Sequence, residues 1–423
     1  MRNSLLKRWQ RTAGALGMVL TAGLSLRLHA QTTVSGATGG SPENPWILAA
    51  AYTQAWDNNI TLSATPQGDT SSQVALNLGG HWQGPRWNFS ALYTPEGVTY
   101  AHHRALSYFA QTYDQSLTYA TGPESSLSWS VSAAMYPQRG GLPGGAINGG
   151  LGAALTAGQG LGVGSDLTDG TTTLNWQQKV SARSTWSAGV NFGLNAFTPD
   201  RQLLIETGRQ TPLEAADHSN MLGGTVGWNH NVNASLTLGV SAMDNRVRYT
   251  RTNARLNYSD VEATMGETLG TWQLRLGAGP SWTQNLESSS FTERGLGYAA
   301  NASLTKQFGL SESGIQWEHT LQAGYLPGGV AHDLFGAQYG TQWATDWQAS
   351  VSAGYSRQGV AQGAVVNTQY ASAGVSWHPS PDWSLQGGGS FVREPFSLLG
   401  EGAGSLRRES VFVSLRFAPG GTR

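Results

Sequence analysis

The sequence predicts an all-β chain, folded as a transmembrane antiparallel up-and-down β-barrel of about eighteen strands in a bacterial outer membrane. Three observations predict it. Apolar and polar residues alternate with period two from Trp46 onward, large aromatics stand beside short turns, and short connections alternate with longer ones.

In an extended strand successive side chains point to opposite faces, so a period of two marks one apolar and one polar face. Between Ser184 and Phe197, Trp186, Ala188, Val190, Phe192 and Leu194 share one face, and Ser187, Gly189, Asn191, Gly193 and Asn195 the other. Val74, Leu76, Leu78 and Trp82 alternate with Asn77, Gly79 and His81 in the same way, as do Leu127, Trp129, Val131, Ala133 and Met135 with serines. Strands are expected near 47–56, 73–83, 86–95, 108–120, 124–136, 170–180, 184–196, 218–230, 234–246, 251–266, 271–283, 294–308, 313–325, 331–343, 346–357, 366–378, 382–393 and 408–417. Val190, Val240, Val351 and Leu415 fall on the apolar phase and are expected to face lipid.

A soluble sandwich also alternates, so the aromatics and the connections decide. Trp82 and Trp87 flank one short turn, Trp176 and Trp186 a second, Trp343 and Trp347 a third, and Trp377 and Trp383 a fourth. Amphipathic rings prefer the membrane–water interface, so these eight are expected to form one periplasmic belt. The long connections, 57–72, 138–168, 198–217 and 395–406, follow odd-numbered strands. Short periplasmic turns and long outer loops are the pattern of bacterial barrels. Closure also removes the sheet edges that a long meander would expose.

Composition narrows the function classes. The 423 residues carry a formal net charge of −1, and only 12% are charged, roughly half the share of a soluble domain. Near-neutrality speaks against a nucleic-acid partner, which needs a basic surface. There is no cysteine, which excludes disulfides, thiolate metal sites and a lipidated N-terminal Cys. Lys7, Arg8 and Arg11 precede an apolar run from Ala13 to Leu26, and Leu28-His29-Ala30 has the form of a cleavage site. The run is short of the roughly 20 residues a helical span needs, so residues 1–30 read as a signal peptide. Residues 31–45 read as a flexible periplasmic lead-in, 46–417 as the barrel and 418–423 as a C-terminal tail.

The segment Pro45-Trp46-Ile47-Leu48-Ala49-Ala50-Ala51-Tyr52, continuing through Trp56-Asp57-Asn58-Asn59-Ile60, resembles the first strand and Asp-Asn loop of an outer-membrane β-barrel porin family associated with exopolysaccharide clusters. Tyr93-Thr94-Pro95-Glu96 followed by Tyr100 is similar too. The resemblance is specific over roughly the first hundred residues after the leader. It implies a barrel and carries over no catalytic or binding residue. The last strand, ending Val411-Phe412-Val413-Ser414-Leu415-Arg416-Phe417, is similar to the signal read by the barrel-assembly machinery, but Ala418 to Arg423 follow its aromatic end.

Candidates for chemistry are few, and no catalytic residue, cofactor or metal site is assigned. A hydrolase needs a nucleophile, a histidine base and an orienting third group. Here the histidines are scattered and no Gly-x-Ser-x-Gly elbow stands out. His102-His103 suggests a metal pair, but adjacent residues on an extended chain point apart. Arg246, Arg248, Arg251 and Arg255 crowd one outer hairpin. If Ala254, Leu256 and Tyr258 form the lipid face, the arginines face the lumen or its mouth, as a basic patch for an anionic solute or sugar. The alternatives are lipopolysaccharide phosphates or pairing with Asp244 and Asp260. Lys179, Arg275, Glu318 and Arg416 also fall on polar faces and suggest an internal ion-pair network. Loop 138–168, rich in glycine, is a candidate constriction or lid.

The leading reading is a porin-like outer-membrane channel, for polysaccharide export or for passive uptake of small polar solutes. Its expected surroundings are outer-membrane lipid and lipopolysaccharide. Two alternatives stay open: an adhesive or structural barrel with a blocked lumen, and a membrane-embedded lipid hydrolase. A Ser–His pair on the lipid-facing wall would favour the last.

Overall fold

Every strand hydrogen-bonds to its neighbours in the chain, and the last returns to the first. The structure, a computed structural model, describes residues 45–60, 66–138, 165–199, 218–286, 292–323, 329–359, 365–394 and 406–419. The strands are β1 Trp46–Asp57, β2 Asp69–Gln83, β3 Trp87–Tyr100, β4 Tyr108–Gly122, β5 Ser125–Gln138, β6 Ser165–Lys179, β7 Ser184–Pro199, β8 Ser219–Asn231 and β9 Leu236–Tyr249. They continue as β10 Arg255–Leu269, β11 Trp272–Leu286, β12 Thr292–Phe308, β13 Ser311–Ala323, β14 Gly329–Ala344, β15 Trp347–Gly359, β16 Val365–Ser380, β17 Trp383–Glu394 and β18 Leu406–Phe417. They form one 18-stranded antiparallel sheet, closed by β1 on β18 from Ala50↔Phe417 to Asp57↔Ser410.

The expected strands are all present, in order. Several run further at the outer end: β2 begins at Asp69, β3 reaches Tyr100 and β6 begins at Ser165. There the ladder continues while the apolar-out alternation lapses, which is why the sequence pattern stops short. The expected leader 1–30, most of the lead-in 31–45, most of loop 138–168 and the end of the tail 418–423 lie outside the described residues.

Two ends follow from the connections. At one end the strands are joined through 84–86, 123–124, 180–183, 232–235, 270–271, 309–310, 345–346 and 381–382. Tight geometry shows in the left-handed Gly270 and Gly309, where a Cβ would be strained. The other end carries the longer connections, including 58–68, 101–107 and 139–164.

The register assigns every side chain to a face. Leu48, Val74, Val190, Leu222, Val240, Leu276, Val351, Val375, Val413 and Leu415 point outward and are exposed. An apolar outer wall of this extent requires lipid around it. Between the two ends the inner phase is made largely of Ser, Thr, Asn, Gln and Gly. Its hydroxyls bond across strands, as in Ser352 Oγ to Ser372 Oγ at 2.7 Å and Ser390 Oγ to Ser410 Oγ at 2.6 Å. Gly223 shows why glycine recurs there. It lies between Asn191 and Asn245 in register, and a Cβ on it would stand 1.9 Å from Asn245 Oδ1. The gap lets Asn191 Nδ2 donate to Asn245 Oδ1 at 3.0 Å along the wall.

At the outer end the inner face turns apolar. Met221, Val247, Tyr249, Ala254, Leu256 and Tyr258 form one buried cluster on the lumenal side of β8–β10 and their connection. Ile60, Val98, Tyr100 and Leu106 form another near β2–β3. The seam between the first and last strands carries an ion pair, Asp57 with Arg408, their side chains 3% and 8% exposed.

Two outcomes follow. Val351, outward and 48% exposed, lies four residues beyond Trp347, roughly 10 Å up an apolar band about 25 Å tall and so near its middle. Val351→Arg should cost roughly 2–4 kcal/mol of folding in lipid, while the lumenal neighbour Ser352→Arg costs clearly less. Urea titration of refolded barrels in vesicles reads the difference, and equal costs would reverse the faces. Arg408→Ala leaves Asp57 buried without its cation and should destabilise the seam by about 3–5 kcal/mol, seen as lost heat-modifiable migration at lower temperature than in the native chain.

Candidate functional site

The lumenal wall is where a solute would meet the protein, and its charges are unevenly signed. Among the described residues the inner phase carries Asp57, Asp69, Glu96, Asp114, Asp169, Asp260, Glu262, Glu312 and Glu318 against Lys179, Arg275, Arg408 and Arg416. Arg408 is taken up by Asp57.

The densest acidic group lies on β10–β13. Glu262 extends over Gly277, where a Cβ would stand 1.9 Å from its Oε1, and accepts a hydrogen bond from Asn301 Nδ2. Asn301 faces Glu318 directly across β12–β13. Asp260 is the next lumenal residue on β10, opposite Ser281, which is 2% exposed with its hydroxyl unpartnered. Three carboxylates thus stand on one wall from two strands, with the Asn301 amide of a third strand bonded to Glu262 and in register with Glu318. Pro280 interrupts the ladder beside them: the β10–β11 register passes from Asp260↔Ser281 to Ala263↔Ala278. Pro95 does the same in β3, where the register passes from Ala75↔Glu96 to Leu78↔Tyr93. A proline supplies no ladder N–H, and each interruption has a lumenal carboxylate next to it.

The arginines sit elsewhere than the lumen. Arg246 and Arg248 share the outward phase of Val240, and Arg255, opposite Arg248, is outward too. Arg251 is exposed in the 250–254 connection. The expectation of a lumenal patch took Leu256 and Tyr258 as lipid-facing; they are the buried inner cluster, so the arginines take the outside of the rim. The reason is height. Above the lipid no solvent favours apolar residues outside, and the inner side is covered instead. Nor do Arg246 and Arg248 pair with Asp260, which faces the lumen; Arg246 Nε lies 3.5 Å from Asp244 Oδ2. Lys179, Arg275, Glu318 and Arg416 are lumenal but stand on β6, β11, β13 and β18. No two of these strands are adjacent, and at about 4.8 Å per strand the four do not form one network.

Trp82, Trp87, Trp176, Trp186, Trp343, Trp347, Trp377 and Trp383 all stand on the outward phase near the short connections. Their rings touch: Trp343 and Trp347 centroids are 5.9 Å apart, Trp347 and Trp377 5.8 Å, and Trp383 and Phe417 4.7 Å. Every tryptophan from Trp46 to Trp383 faces outward.

Two histidine arrangements bear on the candidates that the sequence raised, the metal pair and the lipid-facing Ser–His pair. His102 and His103 do not point apart. The chain turns there into a 3-10 segment, Arg104–Leu106, and both rings reach back to one fully buried carboxylate. Asp69 accepts from His102 Nδ1 at 2.9 Å, His103 Nδ1 at 3.0 Å and the backbone N–H groups of Thr70, His102 and His103. This ties the β3–β4 connection to β2. No group of three metal-ligating side chains occurs among the described residues. Ser184 Oγ lies 2.8 Å from His230 Nδ1 on the outward phase, beside a short turn. His230 stacks on Trp228, and no described carboxylate or amide orients its other nitrogen. Without an orienting group the pair lacks the third part of a hydrolase.

No protein-family model and no curated protein sequence matches this chain. By shape it is similar to solved barrels. OccK2 (OpdF) of Pseudomonas aeruginosa, crystallised in complex with glucuronate, is 12% identical with a TM-score of 0.46, over 91% of this chain and 99% of that one. The outer membrane protein OpdK of the same organism is 9% identical with a TM-score of 0.45, over 88% and 99%. The ferric-catecholate import receptor Fiu of E. coli K12 is 9% identical with a TM-score of 0.46, over 90% and 82%. At these values the likeness adds nothing to what the closed register, the outward apolar wall and the unequal ends already decide. The chain is a bacterial outer-membrane β-barrel. Short turns then mark its periplasmic end and long connections its outer end.

Ser184→Ala and the native barrel should hydrolyse phosphatidylcholine in mixed micelles at the same background rate. Turnover by the native barrel that Ser184→Ala abolishes would restore the hydrolase alternative.

Proposed function

We propose that the chain is a passive, porin-like channel of the outer membrane for small polar solutes, with a preference for cationic ones. The observation that carries this reading is the lumenal wall: largely hydroxyls and amides, with the Asp260, Glu262 and Glu318 group on one side and few lumenal cations to offset it. A barrel of 16–18 strands leaves an aqueous channel, and rings or clusters of carboxylates in such a channel raise the local cation concentration. Export of a polysaccharide has less support. Sugar rings stack on exposed aromatic faces, and here the tryptophans are outside while lumenal Tyr249, Tyr258, Tyr370 and Phe412 are buried.

Planar-bilayer recording of the purified full chain tests the reading. Expected are stable open channels with a potassium-to-chloride permeability ratio above one at 0.1 M salt. That ratio should fall in Glu262→Gln/Glu318→Gln and approach the mobility limit at 1 M, where the screening length drops to about 3 Å. Because the arginines lie outside the rim, changing Arg246 and Arg248 to Gln should leave the ratio where it is. A barrel that inserts and never conducts would support the blocked-lumen alternative.

A further inference from the structure

Arg248 and Arg255 stand directly opposite each other across β9 and β10, on the outward face. Cross-strand partners hold their Cβ atoms about 5 Å apart, and like charges placed so repel. Arginine does not escape by losing its proton. Arg246 follows on the same face, opposite Asn257. All three are exposed. Their compensation is thin: Asp244 Oδ2 lies 3.5 Å from Arg246 Nε, and Asn253 Oδ1 is 3.2 Å from Arg248 Nη2. Asp244 is shared with Ser259 Oγ at 2.6 Å. One exposed carboxylate therefore serves three guanidinium groups.

The height of these groups identifies their surroundings. Strands rise 3.4 Å per residue and tilt by about 40°, so Arg246 lies roughly 21 Å and Arg248 roughly 26 Å above Leu238, near the lower edge of the apolar wall. The apolar band of such barrels is about 25 Å tall. The three arginines thus straddle its upper boundary, where the outer leaflet presents its headgroups. Below them come Asn257, Asp244 and Ser259, with Trp282 beside Ser259 on β11, and beneath these the same wall is apolar, with Val226 on β8 and Val240 on β9. Leu222, the outward partner of Arg246 on β8, brings apolar surface up to the level of the arginines. A ligand that satisfies both levels carries several negative charges at one height and acyl chains beneath.

We propose that the outer face of β8–β11 is a binding site for a phosphorylated glycolipid of the outer leaflet, lipopolysaccharide. Its lipid A phosphates lie between Arg246, Arg248 and Arg255, each held by charge-assisted, forked N–H···O bonds. Its acyl chains lie over Val226 and Val240. The site does not depend on whether the barrel conducts.

The test is native mass spectrometry of the purified full-length barrel, titrated with bisphosphorylated lipid A, dephosphorylated lipid A, phosphatidylglycerol and inorganic phosphate. Lipid A is expected to bind in discrete stoichiometry, and R246Q/R248Q/R255Q to weaken it at least tenfold. Dephosphorylated lipid A should bind the native barrel no better than it binds that variant. Arg183→Gln, in a turn at the opposite end, should bind as the native chain does. If the triple variant does not fold, Arg248→Gln alone, checked by heat-modifiable migration, is expected to weaken binding about threefold. Undiminished binding by either variant overturns the site. Equal binding of dephosphorylated lipid A or phosphatidylglycerol overturns the phosphoglycolipid assignment. Full competition by inorganic phosphate at equal concentration reassigns the arginines to a free anion and also overturns it.

Discussion

The pairing of β1 with β18 is the constraint on which the rest depends. In lipid a backbone N–H or C=O without a partner costs several kcal/mol, so a sheet of this length survives only if its two edges meet. The register from Ala50↔Phe417 to Asp57↔Ser410 makes that contact, and the Asp57–Arg408 pair sits at its outer end. Once the sheet is closed, inside and outside are defined for every residue. Each strand's period of two becomes a choice between water in the lumen and lipid outside.

That choice explains how the charges are distributed. Inside, carboxylates outnumber the cations left to offset them. Outside, the arginines of β9 and β10 gather at the upper rim, and Lys306 lies 4.5 Å over the Trp272 ring near the lower one. A long basic side chain can lay its stem along apolar surface and keep its charge at the interface. A carboxylate has no such reach, and the outward ones stand near the ends of the strands, as Asp244 does beside Arg246 and Glu409 beside Arg407. Asp69 is the extreme case, fully buried but enclosed by three backbone N–H groups and two imidazoles.

The outer ends of the strands obey a different rule from their middles. Between the two interfaces apolar means outward. Above the upper interface, Met221, Val247, Leu256 and Tyr258 turn inward and pack on one another, while Arg246, Arg248 and Arg255 turn outward. The strands do not twist over to achieve this: Arg246 stays on the face of Val240. It is the composition of the two faces that exchanges, at the height where the solvent outside changes from hydrocarbon to headgroups and water.

The sequence by itself determined the number and order of the strands, the short and long ends, and the face of mid-strand residues such as Val190, Val351 and Leu415. These follow from period-two patterning and turn chemistry, which are local. The place of the eight turn-flanking tryptophans was legible for the same reason. Alternation, however, says only that two faces differ. At the rim, where lipid no longer labels the outer face, it left Arg248 and Leu256 assigned to the wrong sides. Nor does alternation give neighbours. Glu262, Asn301 and Glu318 come from three strands, and Ser184 and His230 from two, placed together by register alone. His102 and His103 converge on Asp69 because the chain between β3 and β4 leaves the extended conformation, 33 and 34 residues from their common acceptor. Only the tertiary structure decides such contacts, because they depend on which strand lies beside which and on how far each is slid along the other.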